Sequence, residues 1–203
     1  GWWLARHERK LEEAKMGADV VFLGNSITQN WEGAGKHVWR EHFATKHALN
    51  LGFGGDSTQH VLWRLDHGEL DGVNPKVVVL HIGTNNARHS EATPAQIAEG
   101  IRAIIETVHA KAPSAKVLLH AIFPRGPDAN DPWRKRCIEI NKLLPAIAET
   151  QRAHFIDVGA GLMNADCTIS KEVMPDLLHL SSKGYEIWAG ALEARLKELL
   201  GDK

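Results

Sequence analysis

Cysteine is scarce in this chain: Cys137 and Cys167 are the only two in 203 residues. Two cannot build a disulfide scaffold, and they lack the clustered spacing of a structural zinc site, so the expectation is two free thiols. Net charge is also nearly absent, since 24 Lys+Arg against 25 Asp+Glu leave −1. Nucleic acid and anionic membrane surfaces therefore find no electrostatic footprint. Long apolar runs are missing too. The strongest run, Val77 to Leu80, has the size of a buried strand, far short of the roughly 20 residues of a membrane span. No linker, repeat or low-complexity tract appears, and the whole of 1–203 reads as a single domain. No secretory leader is legible at Gly1-Trp2-Trp3. The compartment is left open, cytoplasmic or exported after removal of a leader.

What is present is an alternation of β-rich apolar runs and helical patterns. Strands are expected at Asp19–Leu23, His47–Leu51, Lys76–Ile82, Ala115–Ala121 and His154–Asp157. Helices are expected over Ala5–Lys15, Thr58–His67, Thr93–Lys111, Asn130–Thr150 with a disturbance near Pro145, and Lys183–Leu200. Thr93-Pro94 is an N-cap followed by proline at the first helical position. Strands separated by helices imply βαβ units, hence an α/β fold with a parallel sheet covered on both faces.

Ligands of such sheets bind beyond the carboxyl ends of the strands. Three consecutive strands here end in glycine and small polar residues: Gly24-Asn25-Ser26-Ile27-Thr28, Gly52-Phe53-Gly54-Gly55-Asp56-Ser57 and Gly83-Thr84-Asn85-Asn86. Each has an ordinary structural reading. Ser26 suits a helix cap, Asp56 or Ser57 could cap the helix from Thr58, and Asn85 suits a turn. Thr28 stands where a nucleophile elbow would have its second glycine, which argues against an α/β-hydrolase. Gly-Phe-Gly-Gly has neither dinucleotide-binding spacing nor a phosphate-loop lysine.

Near the other end lies Asp176-Leu177-Leu178-His179. A carboxylate three residues before a histidine can fix its tautomer and stabilise its imidazolium while the other ring nitrogen faces a nucleophile. Ser26, Gly55, Asn85, Asp176 and His179 together supply nucleophile, oxyanion donors, orienter and base, the parts needed for acyl transfer.

These four segments resemble the conserved blocks of the GDSL/SGNH hydrolase superfamily, in the same order, from about Asp19 to Tyr185. The subgroup typified by the catalytic subunits of intracellular platelet-activating factor acetylhydrolase looks most similar, through Ala48–Leu65, Gly83–Asn86 and Phe123–Gly126. The resemblance implies a three-layer α/β/α sandwich with a five-stranded parallel sheet. It also implies Ser26 as nucleophile, His179 as base and Asp176 as its partner. The oxyanion hole would consist of the Ser26 and Gly55 backbone N–H groups and the Asn85 side chain. One departure is visible: the family usually has Asp before the serine, where this chain has Asn25.

The expected reaction is hydrolysis of a short-chain ester, acetyl above all, through an acyl-serine, with a small-molecule acyl ester as partner and no cofactor or metal. Five histidines from His37 to His67 show no ligand spacing. Ile27, Thr84 and Leu178 are candidate walls of an acyl pocket, with inward packing as the alternative for Ile27 and Leu178. Trp2, Trp3, Arg6, His7 and Trp31 either border an alcohol site or cap the sheet. For the alcohol, a carbohydrate or other small ester is read first. A phospholipid acetyl ester and a non-catalytic binding module on the same fold are the alternatives; the presence of both Ser26 and His179 speaks against the last. The subgroup resemblance implies a homodimer, for which no interface pattern is legible.

Overall fold

Five runs of valine, leucine and other apolar residues become five strands in the computed structural model, which describes residues 1–201. They are β1 (Val20–Gly24), β2 (Ala48–Gly52), β3 (Val77–His81), β4 (Lys116–His120) and β5 (His154–Ile156). All pairings are parallel, in the order β2-β1-β3-β4-β5. The side-chain period of two divides the strands between two cores. Val21, Leu23, Val78, Leu80, Val117 and Leu119 face one; Val20, Phe22, Val77, Val79 and Leu118 face the other. The order reverses at β1, from which the chain goes first to β2 and later to β3. A sheet of this kind opens its ligand crevice at such a reversal.

Nine α-helices occur among the described residues: α1 (Trp2–Ala14), α2 (Ser26–Gln29), α3 (Lys36–His42), α4 (Thr58–Asp66), α5 (Thr84–His89), α6 (Pro94–Lys111), α7 (Pro132–Asn141), α8 (Leu144–Thr150) and α9 (Ser182–Leu200). Residues of α4, α6, α7 and α8 fill the first core; those of α3 and α9 fill the second. The chain is therefore the expected α/β/α arrangement. Thr93 caps α6 through a reciprocal box with Gln96, a device worth about 1 kcal/mol. No described helix is long and apolar enough to cross a membrane.

The structure departs from the sequence-based expectation in two places. The helix expected over Asn130–Thr150 is two, α7 and α8, with Pro145 in the first turn of the second. Proline has no N–H to give and clashes with the carbonyl four residues back, so the chain stops and restarts. Short α3 and α5 were not anticipated. Thr84-Asn-Asn-Ala-Arg-His89 has no apolar stripe, and its helix is set by the strand end it follows.

Candidate active site

The end of β1 is packed so tightly that its sequence is constrained. A Cβ added at Gly24 would lie 2.2 Å from Thr28 Oγ1 and 2.4 Å from the His81 carbonyl oxygen. Asn25 then caps α2: its Oδ1 accepts from the Ile27 N–H at 3.0 Å, while its Nδ2 is buried with no partner among the described residues. Ser26 is the first residue of α2, half-buried. The Tyr185 hydroxyl, from the chain's only tyrosine, donates to the Ile27 carbonyl at 2.6 Å and ties α9 to this turn. Burial raises the Tyr185 pKa.

After β2, Phe53-Gly54-Gly55-Asp56 makes a turn closed by Asp56 N–H to Phe53 O at 3.2 Å. Gly55 is its third residue, with φ +80, while a Cβ there would meet nothing within 4 Å. The glycine is needed for its left-handed backbone, not for room. Asn85, in the first turn of α5, donates through Nδ2 to the Asp56 carbonyl at 2.8 Å. Its second amide hydrogen remains for a ligand. Asn86 clasps the start of α4, accepting from Thr58 N–H at 3.0 Å and donating to Thr58 Oγ1 at 3.1 Å. The loops after β2 and β3 are thus joined side by side.

The loop before α9 brings the histidine to the serine. Ser26 Oγ lies 2.9 Å from His179 Nε2, and His179 Nδ1 lies 2.6 Å from Asp176 Oδ2. The other Asp176 oxygen accepts from the backbone N–H groups of Leu178 at 3.0 Å and His179 at 2.7 Å. Burial acts to raise the Asp176 pKa, but these hydrogen bonds and the His179 charge outweigh it and lower the carboxyl. Leu177 bends the loop with φ +60, a conformation costing a non-glycine residue about 1–2 kcal/mol. Its carbonyl accepts from Gly126 N–H at 2.9 Å. The Gly126 carbonyl in turn accepts from buried Arg134 at 2.6 Å.

The five residues expected to act together fall into two directly linked groups, Ser26–His179–Asp176 and Asn85 with the Gly55–Asp56 turn. The three candidate pocket residues fare differently. Ile27 is 1% exposed and packs into the core, and Thr84 is 2% exposed with its hydroxyl accepting from Arg125 at 2.9 Å. Neither is an open wall, because both sit in the first turns of helices pressed against the sheet. Leu178 is partly exposed beside His179. Trp31, offered as a border of the site, is 1% exposed core, and Arg6 is buried with its Nε donating to Gly52 O at 2.9 Å. Trp3 is closer to the chemistry: its Nε1 donates to Asp56 Oδ1 at 2.7 Å.

A buried ionic network behind the Gly55 turn was not legible in the sequence. Arg64, 0% exposed, donates Nε to Asp56 Oδ2 at 2.9 Å, reaches Gly24 O at 3.3 Å, and pairs with Glu69, also 0% exposed. Its guanidinium carbon stands 4.0 Å from the Phe53 ring centroid. Burial raises the Asp56 pKa, with Arg64, Trp3 and His60 acting against it. Arg64 lies in the last turn of α4 among apolar neighbours; an arginine amid Leu62, Trp63 and Leu65 was the one available signal.

The GDSL-like Lipase/Acylhydrolase family model matches residues 22–187. The human platelet-activating factor acetylhydrolase IB subunit alpha1 is 43% identical over 202 residues, covering 98% of this chain and 85% of that protein. The rat subunit alpha2 is 38% identical over 203 residues, with 98% and 85% covered. A GDSL-like lipase from Bacteroides thetaiotaomicron superposes with TM-score 0.77 at 21% identity, over 96% of this chain and 98% of that one. An acetylxylan esterase from Geobacillus stearothermophilus does so with TM-score 0.70 at 16% identity, over 92% and 96%. At those identities the structural matches speak for the fold alone.

Proposed function

The chain belongs to the GDSL-like lipase/acylhydrolase family and is an acylhydrolase; from that premise we propose that it is a serine esterase acting through Ser26, His179 and Asp176. The observation that carries the assignment is the pair of contacts on His179, 2.9 Å to Ser26 Oγ and 2.6 Å to Asp176 Oδ2. With Nδ1–H donated to Asp176, Nε2 is left to accept the Ser26 proton. Ser26 Oγ attacks the ester carbonyl, and the proton passes to His179. Charge on the carbonyl oxygen is met by Asn85 Nδ2–H and the backbone N–H groups of Ser26 and Gly55, two donors with no acceptor among the described residues. His179 then protonates the leaving alcohol. Water, deprotonated by the same nitrogen, releases the acid and frees Ser26.

We read the acyl group as acetyl or similarly short. Ile27 follows the nucleophile and Thr84 precedes Asn85, and both are filled-in core, which leaves little depth there for a chain. For the alcohol, the near-full-length similarity to proteins named platelet-activating factor acetylhydrolase supports a phospholipid-type acetyl ester better than the sugar ester that the sequence brought forward first. The test is a panel of acetylated phospholipid, acetylated xylo-oligosaccharide and nitrophenyl acetate and octanoate, run on the protein and on Ser26→Ala. Acetate should turn over faster than octanoate, phospholipid faster than oligosaccharide, and Ser26→Ala should fold yet hydrolyse none of them. A fully active Ser26→Ala would end the assignment. Preferred octanoate or oligosaccharide would overturn the acyl or alcohol reading separately.

A further inference from the structure

Beside the Gly54–Asp56 turn the surface opens into a cavity of about 470 Å³, walled by Trp3, Leu4, His60 and Trp63. The rings of Trp3 and Trp63 meet at 5.3 Å between centroids, tilted by 57°. Leu4 is 49% and Trp63 38% exposed, so the apolar wall faces solvent. Its polar groups are largely engaged. Both Asp56 carboxylate oxygens are taken, by Trp3 and Arg64, and the only N–H of the Trp3 side chain is spent on one of them. His60 Nδ1 accepts from Ser57 N–H at 3.0 Å. A sugar entering here would leave most of its hydroxyls without partners, which is costly. An alkyl or aryl group would lose nothing.

We propose that this cavity is a subsite for an apolar, alkyl or aryl, portion of the alcohol half of the ester. Gly55 belongs both to the cavity wall and to the proposed oxyanion hole, so a group seated here is continuous with the reacting carbonyl. The assignment to the alcohol rests on the short-acyl reading above. An acetyl group cannot use a space of about 470 Å³, which is of the size that holds a drug-like ligand. A second copy of the chain would also cover Leu4 and Trp63, but it would need no connection to Gly55.

The experiment is a series of ethyl, butyl, hexyl and octyl acetates, with kcat/KM measured for the protein, for Trp63→Ala and for Leu4→Asn at its exposed wall. In the unmodified protein kcat/KM should rise roughly two- to four-fold per added methylene until the cavity is full. Either variant should lose roughly ten-fold of the octyl-over-ethyl preference. A second series varies the acyl chain on ethanol, and there the variants should follow the unmodified protein. Hydrolysis of every acetate at one rate would overturn the subsite while leaving the esterase reading intact. No hydrolysis of any acetate would instead overturn the reading beneath it. Variants that keep the alcohol slope, or that change the acyl slope instead, also sink the subsite. So does a halved sedimentation mass with the slope unchanged, which would make the surface a contact between copies.

Discussion

The turn after β2 and the loop before α9 supply the two halves of the proposed machinery, and different forces hold them. Asp56 is 1% exposed, and its partners come from three different helices: Trp3 in α1, Arg64 in α4 and Asn85 in α5. The Asp176 side chain is 56% exposed, and its partners are Leu178 and His179, two and three residues on. The oxyanion half is therefore fixed by the whole fold, with buried Asp56 and Arg64 behind it, so that its aligned dipoles need no reorganisation when charge appears. The acid–base half is wired locally and open to water, with one strained residue, Leu177, setting its bend. Damage to the first should cost stability and rate together. Damage to the second should cost rate alone.

Asp176→Asn gives the largest separation. Asparagine keeps an oxygen for the Leu178 and His179 N–H groups, so unfolding free energy should move by less than about 1 kcal/mol. The tautomer of His179 is no longer dictated, and kcat should fall by up to roughly 10⁴, the loss seen when a buried triad aspartate is so changed. Water at this exposed site softens the loss rather than deepening it. Urea denaturation and steady-state kinetics on one preparation would check both numbers; a strongly destabilised variant would erase the distinction.

Arg64→Met attacks the other half. It leaves Asp56 and Glu69 buried without their cation, which should cost about 3–5 kcal/mol. It also frees the Gly55 turn from Gly24, so the variant should lose kcat even where it is fully folded. A change below about 1 kcal/mol would mean that the network is not what holds the turn. Asn85→Ala is milder. Removing one oxyanion donor should lower kcat about 10²- to 10³-fold, with KM nearly unchanged. Losing its bond to the Asp56 carbonyl should cost about 1 kcal/mol of stability. Rate loss without any stability loss would show that Asn85 is not part of the buried half.

The same contrast explains what could be read beforehand. The acid–base half was legible because Asp176 and His179 are three residues apart and their contact is local. The strands were legible because buried parallel strands are nearly continuous apolar runs. The placement of Ser26, Gly55 and Asn85 followed from their position at strand ends. The support behind Gly55 was hidden, because Trp3 and Asp56 are 53 residues apart and only the fold joins them. The direction of Ile27 was hidden for another reason: α2 has four residues, too few to display a helical period. Asn25 is half explained. Its oxygen caps α2 as an aspartate would, and its buried Nδ2 is the group that an aspartate would lack.

Acid should separate the halves once more, by the smallest effect. At the ends of β3 and β4, His81 and His120 lie against Trp188 of α9 and Phe123. Burial lowers His81 to about 3, and burial together with His81 lowers His120 as well. Below pH 6.5 the unfolded chain protonates both while the folded chain holds them neutral, so stability falls as pH drops from 6.5 toward about 3. Asp176, whose pKa is lowered from 3.8, adds a further loss only below that value. Asp56 runs the other way. Its folded pKa is raised above 3.8, so proton uptake there favours the folded state as pH falls. Between pH 7 and 5 each buried histidine should take away about 2 kcal/mol. His81→Gln should shrink the difference in unfolding free energy between those two pH values by that amount, whatever it does to stability at neutral pH. A slope unaltered in His81→Gln would place the acid sensitivity elsewhere, with His120 the next group to replace, since Asp56 acts in the opposite direction.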